Sequence, residues 1–81
     1  MLKYYFSRLP FTIRFEYIKE FGTFLAHRKE DGISINLYYV AQFYVEISFT
    51  TDTNFIKDIK TIEPHKAFDD YIDQINIEDL F

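Results

Sequence analysis

A long alternation of apolar and polar residues dominates the middle of the chain. From residue 33 to residue 49 every odd-numbered position is apolar, and most even-numbered positions carry polar or tyrosine side chains. A period of two predicts β-structure with its odd side chains in a core. A single strand of this length would reach about 56 Å, whereas a compact domain of this size has a radius of gyration near 12 Å. The run must therefore fold back, and we place the reversal at Val40, Ala41 and Gln42.

Side-chain parity constrains this reversal. Directly opposed residues share a face of a sheet, so odd positions must pair with odd positions if both halves feed one core. A two-residue loop would oppose Ile35 to Ser48 and split the core, unless a bulge restored the register. We therefore expect a three-residue turn or a bulge, with these cross-strand pairs: Tyr39 with Phe43, Leu37 with Val45, and Ile35 with Ile47.

An earlier hairpin is predicted at Asp31-Gly32, because both residue types tolerate the positive φ of the tight primed turns. Residues 22–30 then form a strand before the long alternation. The expected pairs are Glu30 with Ile33, Arg28 with Ile35, and Ala26 with Leu37. Phe24 and Ala26 would lie on the core face, whereas Leu25 and His27 would lie on the other face, beside Tyr38 and Asn36.

Helical patterns flank the predicted strands. Pro10 and Gly22 bracket a segment that we interpret as a helix over 10–20, although residues 9–17 also alternate as a strand would. A turn cluster at 51–54 precedes 55–62, for which we prefer a strand to a short helix. Residues 64–75 are predicted as a helix. The apolar stripe of this helix comprises Phe68, Tyr71, Ile72 and Ile75. A tail after the helix, with Ile77, Leu80 and Phe81, is expected to pack against the core.

These elements predict a single α+β domain spanning residues 1–81. It contains an N-terminal helix, an antiparallel meander of three to four strands, and a C-terminal helix. We expect two layers, with both helices covering the odd face of the sheet.

Composition narrows the classes of function. The 81 residues include 48% hydrophobic residues, no cysteine and two glycines, which argues against disulfides, thiolate zinc sites and glycine-rich phosphate loops. A net charge of −4 disfavours nucleic-acid binding. No apolar run is long enough for a signal peptide or a membrane span, so we expect a cytoplasmic protein that does not bind membranes.

Several short segments, which together extend over nearly the whole chain, suggest a resemblance to other proteins. They are Leu9-Pro10-Phe11 with Arg14 and Tyr17, Gly22-Thr23-Phe24-Leu25-Ala26 with Arg28, Leu37-Tyr38, Phe43-Tyr44-Val45-Glu46-Ile47, the triplet Ile56, Ile59 and Ile62, and Tyr71-Ile72-Asp73 to Asp79-Leu80. In these segments the sequence resembles a group of short, uncharacterised bacterial single-domain proteins. The resemblance implies no known activity, cofactor or site.

No catalytic constellation is readable. The two histidines, His27 and His65, have no nucleophile placed near them by the sequence, so we predict neither an enzyme nor a cofactor. His65, Asp69 and Asp73 are spaced i, i+4, i+8 on the last predicted helix. This spacing is typical of a solvated helix face, and we assign no metal site to it.

Even-numbered residues of the long alternation would lie on the face of the sheet opposite the predicted core, which we call the even face. The tyrosines on this face are the most suggestive feature. Tyrosine combines a large apolar ring with a hydroxyl group and therefore favours protein interfaces. If a partner covers this face, Glu46 needs a donor such as Arg28 or Lys57, because an unpaired buried charge is costly. We predict a small soluble interaction module that homodimerises through this face. The candidate interface residues are Tyr38, Tyr44, Leu25, Val40, Glu46 and His27.

Two alternatives stay open. One is a small-molecule or metal-binding domain that uses polar groups of the sheet or of the last helix. The other is a regulatory accessory protein that binds a basic partner through its acidic C-terminal helix, from Asp69 to Asp79.

Overall fold

A computed structural model describes residues 1–74 of the chain. The predicted positions Ile75, Ile77, Leu80 and Phe81 lie outside the described residues. The helices and strands, in chain order, are α1 (Lys3–Arg8), α2 (Phe11–Phe21), β1 (Thr23–Glu30), β2 (Ile33–Val40), β3 (Phe43–Thr50), β4 (Ile56–Ile62) and α3 (Pro64–Tyr71).

The predicted α+β class is confirmed. The four strands form one antiparallel sheet in the order β1-β2-β3-β4, with helical segments before and after it. The strand predicted for 55–62 is present as β4, and the turn predicted at 51–54 precedes it. None of the described helices is long and apolar enough to cross a membrane.

Two helices, rather than one, precede the sheet. The short helix α1 was not predicted, and its Phe6 is fully buried. The predicted helix over 10–20 is confirmed as α2 (Phe11–Phe21), which follows Pro10 and is capped by Gly22. A Cβ at Gly22 would lie 2.5 Å from the carbonyl oxygen of Ile18, so a glycine is needed where the chain leaves α2.

The first hairpin has the predicted register from Ala26 onward. A two-residue turn at Asp31-Gly32, with φ of 50° and 78°, pairs Glu30 with Ile33 and Ala26 with Leu37. A β-bulge between Phe24 and Ala26 then shifts the register. Phe24 consequently pairs with Tyr38 and leaves the face that holds Ala26, contrary to the prediction.

The predicted register of the second hairpin is wrong. Val40 pairs with Phe43 across a two-residue turn at Ala41-Gln42, and Ile35 pairs with Ser48. Both turn residues have positive φ, 50° and 72°, which non-glycine residues rarely adopt. No glycine or asparagine marks this turn in the sequence.

This register places Ile35 and Ile47 on opposite faces, so both faces of the sheet carry apolar residues. The cluster under α1 and α2 contains residues from both helices and from β2, β3 and β4: Phe6, Ile18, Val40, Phe43, Val45, Ile47 and Ile59. The cluster under α3 contains Ala26, Leu37, Tyr44, Ile62, Ala67 and Tyr71. The sheet therefore lies between two helical layers. The expected two-layer arrangement with both helices on the odd face is wrong.

Helix α3 begins at Pro64 as predicted, but its described helical part ends at Tyr71. Its buried residues are Ala67 and Tyr71, whereas Ile72 is 55% exposed. Only part of the predicted apolar stripe therefore faces the sheet.

Candidate functional site

The structure distributes the six predicted interface residues over three places. On the face under α1 and α2, Val40 is buried, and Tyr38 and His27 are half-buried. On the face under α3, Tyr44 and Glu46 are buried. Leu25 lies in the β1 bulge and is half-buried. These residues do not form one surface, because the register puts even positions of β2 and β3 on opposite faces.

Glu46 is the buried charge of the α3 face. Its side chain is 0% exposed, and Oε2 accepts a hydrogen bond of 2.7 Å from the Tyr71 hydroxyl. Arg28 Nη2 donates to the same oxygen at 3.2 Å. Among residues 1–74, Glu46 Oε1 has no hydrogen-bond partner. Glu46 is thus covered by α3 of its own chain rather than by a partner, and Arg28, one of the two donors expected for it, is in place.

Arg28 connects this buried carboxylate to the surface. Its Nε donates to the Tyr71 hydroxyl at 3.2 Å, its Nη1 bonds to Glu30, and its guanidinium lies 5.5 Å from the centre of the Tyr71 ring. Burial alone would lower the pKa of Arg28. The hydrogen bonds to Glu30 and Tyr71, together with the Glu46 charge, outweigh burial and raise this pKa above its ordinary value. Arg28 is therefore a permanent cation that joins β1 to β3 and α3.

Tyr71 is held in its protonated form by the same cluster. Burial raises the pKa of its hydroxyl, and the hydrogen bond that the hydroxyl donates to Glu46 raises it further, against the opposing effect of Arg28. The hydroxyl is therefore a hydrogen-bond donor near neutral pH rather than a general base.

A shallow groove of about 400 Å³ adjoins the cluster, with Arg28, Lys60 and Lys66 among its lining residues. Two of these cations already contact carboxylates. Arg28 is bonded to Glu30 and Glu46, and Lys66 Nζ lies 3.2 Å from Asp70. The groove is therefore a weak candidate for an anion site.

Within the described residues, the side-chain amide of Gln74 covers the outer edge of β1. The main-chain N–H of His27 donates to Gln74 Oε1 at 3.0 Å, and Gln74 Nε2 donates back to the His27 carbonyl at 2.5 Å. Gln74 thus makes the two bonds that a neighbouring strand would make. Within residues 1–74, no other group bonds to the outward main chain of β1.

The outer edge of β4 is covered differently. Arg14 of α2 donates from Nη1 to the Ile59 carbonyl at 2.8 Å, and the Asp58 carboxylate accepts from the Ile59 N–H at 2.9 Å. The Ile59 side chain is 1% exposed and belongs to the cluster under α1 and α2. This edge is therefore closed at Ile59 by the exposed carboxylate of Asp58 and by Arg14, which belongs to a helix packed on the core.

An uncharged patch adjoins the start of β1. Thr23, Phe24, Leu25 and Tyr39 line a surface depression of about 420 Å³. Phe24 is 55% exposed and Tyr39 is 38% exposed, while Phe21, two residues before β1, is 63% exposed. We call Thr23, Phe24, Leu25 and Tyr39 the aromatic patch. Large exposed aromatic side chains of this kind are typical of interaction surfaces.

The His27 side chain contacts the neighbouring strand β2. Its Nδ1 donates to Asn36 Oδ1 at 2.7 Å across the hairpin, as expected for a neighbouring pair on one face.

His65, Asp69 and Asp73 are exposed on or just beyond α3. In the described part of the chain no group of three or more histidine or acidic side chains is arranged to hold a metal ion.

Comparisons with known proteins add no assignment. No protein-family model matches the chain, and no match was found among curated proteins or among solved structures.

Two residues of the site were not assigned a site role from the sequence. Tyr71 was included in the apolar stripe, and its hydroxyl is the signal that could have paired it with a buried Glu46. Gln74 carries no sequence signal, because its contact with His27 spans 47 positions.

Proposed function

We propose that this protein is an interaction module that self-associates as a homodimer through the outer edge of β1 and the adjoining aromatic patch. The observation that carries the proposal is the lightly covered edge, on which Gln74 is the only cap within residues 1–74. Unpaired strand edges favour pairing with another chain.

The aromatic patch supports the same surface. Phe24 and Tyr39 are exposed at the end of β1 where the chain leaves α2, and none of the four patch residues is charged. Because it carries no charge, the patch can be covered by a partner strand without leaving an unpaired buried charge. The proposal thus retains the predicted homodimer but moves its surface. Val40 and Tyr44, two residues of the predicted even face, are buried within the protomer.

Sedimentation of the full chain at tens of micromolar and above tests this proposal. We expect the parent to dimerise and Phe24→Lys to shift it to the monomer, because a charge would enter the uncharged patch. The matched control is Phe55→Lys, since Phe55 is 73% exposed in the loop between β3 and β4. A monomeric parent, or equal effects of the two substitutions, would contradict the proposal.

A further inference from the structure

We infer that the two copies associate by adding β1 of one chain to β1 of the other, and that Gln74 is a displaceable cap on this edge. The inference rests on the proposed self-association and specifies its mechanism. The joined sheet would have eight antiparallel strands, with the two β1 strands at its centre.

The main chain of β1 shows which groups are available for this addition. Both the N–H and the C=O of His27 point away from β2, since both are bonded to Gln74. In an antiparallel pair these groups alternate in direction from one residue to the next. Because the register is regular from Ala26 to Glu30, the N–H and C=O of Lys29 also point outward.

Gln74 occupies only the His27 position of this edge. Its two bonds are made by a side-chain amide that follows the end of α3, and both are exposed. An incoming strand would replace both bonds with main-chain bonds and would add bonds at Lys29. The exchange therefore loses no hydrogen bond at His27 and gains others along the edge.

A second copy is the occupant that fits this edge. Another copy presents the same edge on its own β1, so the outward main-chain groups of the two strands can pair symmetrically. The β4 edge is unsuitable, because Arg14 and Asp58 already bond to Ile59 there.

Charge selects the register of the two strands. Centring the pair on His27 opposes Ala26 to the partner's Arg28, with no like charges face to face. Centring the pair on Arg28 instead would oppose Arg28 to the partner's Arg28. Centring it on Lys29 would oppose Lys29 to the partner's Lys29. Both arrangements place like charges face to face, which is unfavourable. In the register centred on His27, the bulge also puts Phe24 on the face that carries the partner's Lys29. The aliphatic stem of that lysine can pack on the ring.

Removing the cap is the first test. We expect Gln74→Ala to lower the dimer dissociation constant about 2- to 5-fold in sedimentation, because neither copy then has to give up its cap before the strands pair. Asp73→Ala, a neighbouring exposed residue, is the matched control and should leave the constant unchanged. An unchanged or weaker dimer for Gln74→Ala would overturn the inference.

Amide hydrogen exchange provides the second test. The Lys29 amide should exchange about tenfold more slowly when the parent is concentrated enough to dimerise. The Thr61 amide, which the same alternation turns outward on the β4 edge, should not change. If Phe24→Lys abolishes the dimer but Lys29 stays unprotected, the strand-addition inference fails while the proposed function stands. A parent and a Gln74→Ala variant that are both monomeric would remove both.

Discussion

The two edges of the sheet are closed by different kinds of interaction. At β4, a fully buried Ile59 and the guanidinium of Arg14 make the outer strand part of the core. At β1, the Gln74 amide covers one exposed position, and the strand is fixed to α3 by the polar contacts of Arg28 and by the apolar packing of Ala26. An edge closed by the core is protected from pairing, whereas one closed by a single side chain can exchange it for another strand.

The largest effect is expected where β1 is attached to α3. Arg28→Met should lower the free energy of unfolding by about 3 kcal/mol, because it leaves the Glu46 carboxylate buried without its cation. Urea unfolding followed by circular dichroism measures this loss. The double variant Arg28→Met with Glu46→Met should recover most of it, and Lys29→Met is the control on the same strand. A double variant no more stable than Arg28→Met alone would show that the charge is not the cause.

A smaller effect is expected at the β4 edge. Arg14→Met should lower the free energy of unfolding by about 1–3 kcal/mol, because the Ile59 carbonyl loses a charged donor. Gln74→Ala, measured on the monomer, should change it by less than about 0.5 kcal/mol, since the amide it removes is exposed. Equal losses at the two edges would contradict the comparison.

An effect smaller than that of Arg28→Met is also expected for the tyrosine that contacts both Glu46 of β3 and Arg28 of β1. Tyr71→Phe should lower the free energy of unfolding near neutral pH by about 1–2 kcal/mol, because Glu46 loses a buried donor. The folded state raises the pKa of Tyr71 above the unfolded value of about 10. Its contribution is therefore fully present below about pH 10 and is lost as the pH rises further.

Denaturant titrations between neutral and alkaline pH can measure this contribution. We expect the parent to lose more stability above about pH 10 than Tyr71→Phe does. Tyr5→Phe is the control, because Tyr5 is 61% exposed. Parallel pH profiles for the parent and Tyr71→Phe would contradict the assignment.

The periodicity of the chain predicted which segments form helices and strands better than it predicted which face of the sheet each side chain occupies. The Asp31-Gly32 signal located the first hairpin and its register, because those residue types suit positive φ. The Ala41-Gln42 turn has no such signal, so the register of the second hairpin was predicted from the alternation of odd and even side chains instead. The parity argument assumed a single buried face, whereas helices cover both faces and Ile35 and Ile47 are buried on opposite sides.

The candidate site was predictable only in part. A buried Glu46 implied a cationic donor, and Arg28 is that donor. The bulge that turns Phe24 outward and the contact of Gln74 with His27 depend on tertiary packing rather than on local pattern. The aromatic patch therefore became visible only when the strands were assembled.

Disulfide crosslinking tests the paired β1 edges most directly, because the chain contains no cysteine and a single introduced one can bridge only two copies. In the proposed register His27 faces its counterpart at a Cα separation of about 5.5 Å, within the range that a disulfide spans. We expect His27→Cys to form covalent dimers readily under mild oxidation, and Lys57→Cys, exposed near the β4 edge, to form few. Equal yields from the two variants would contradict the account.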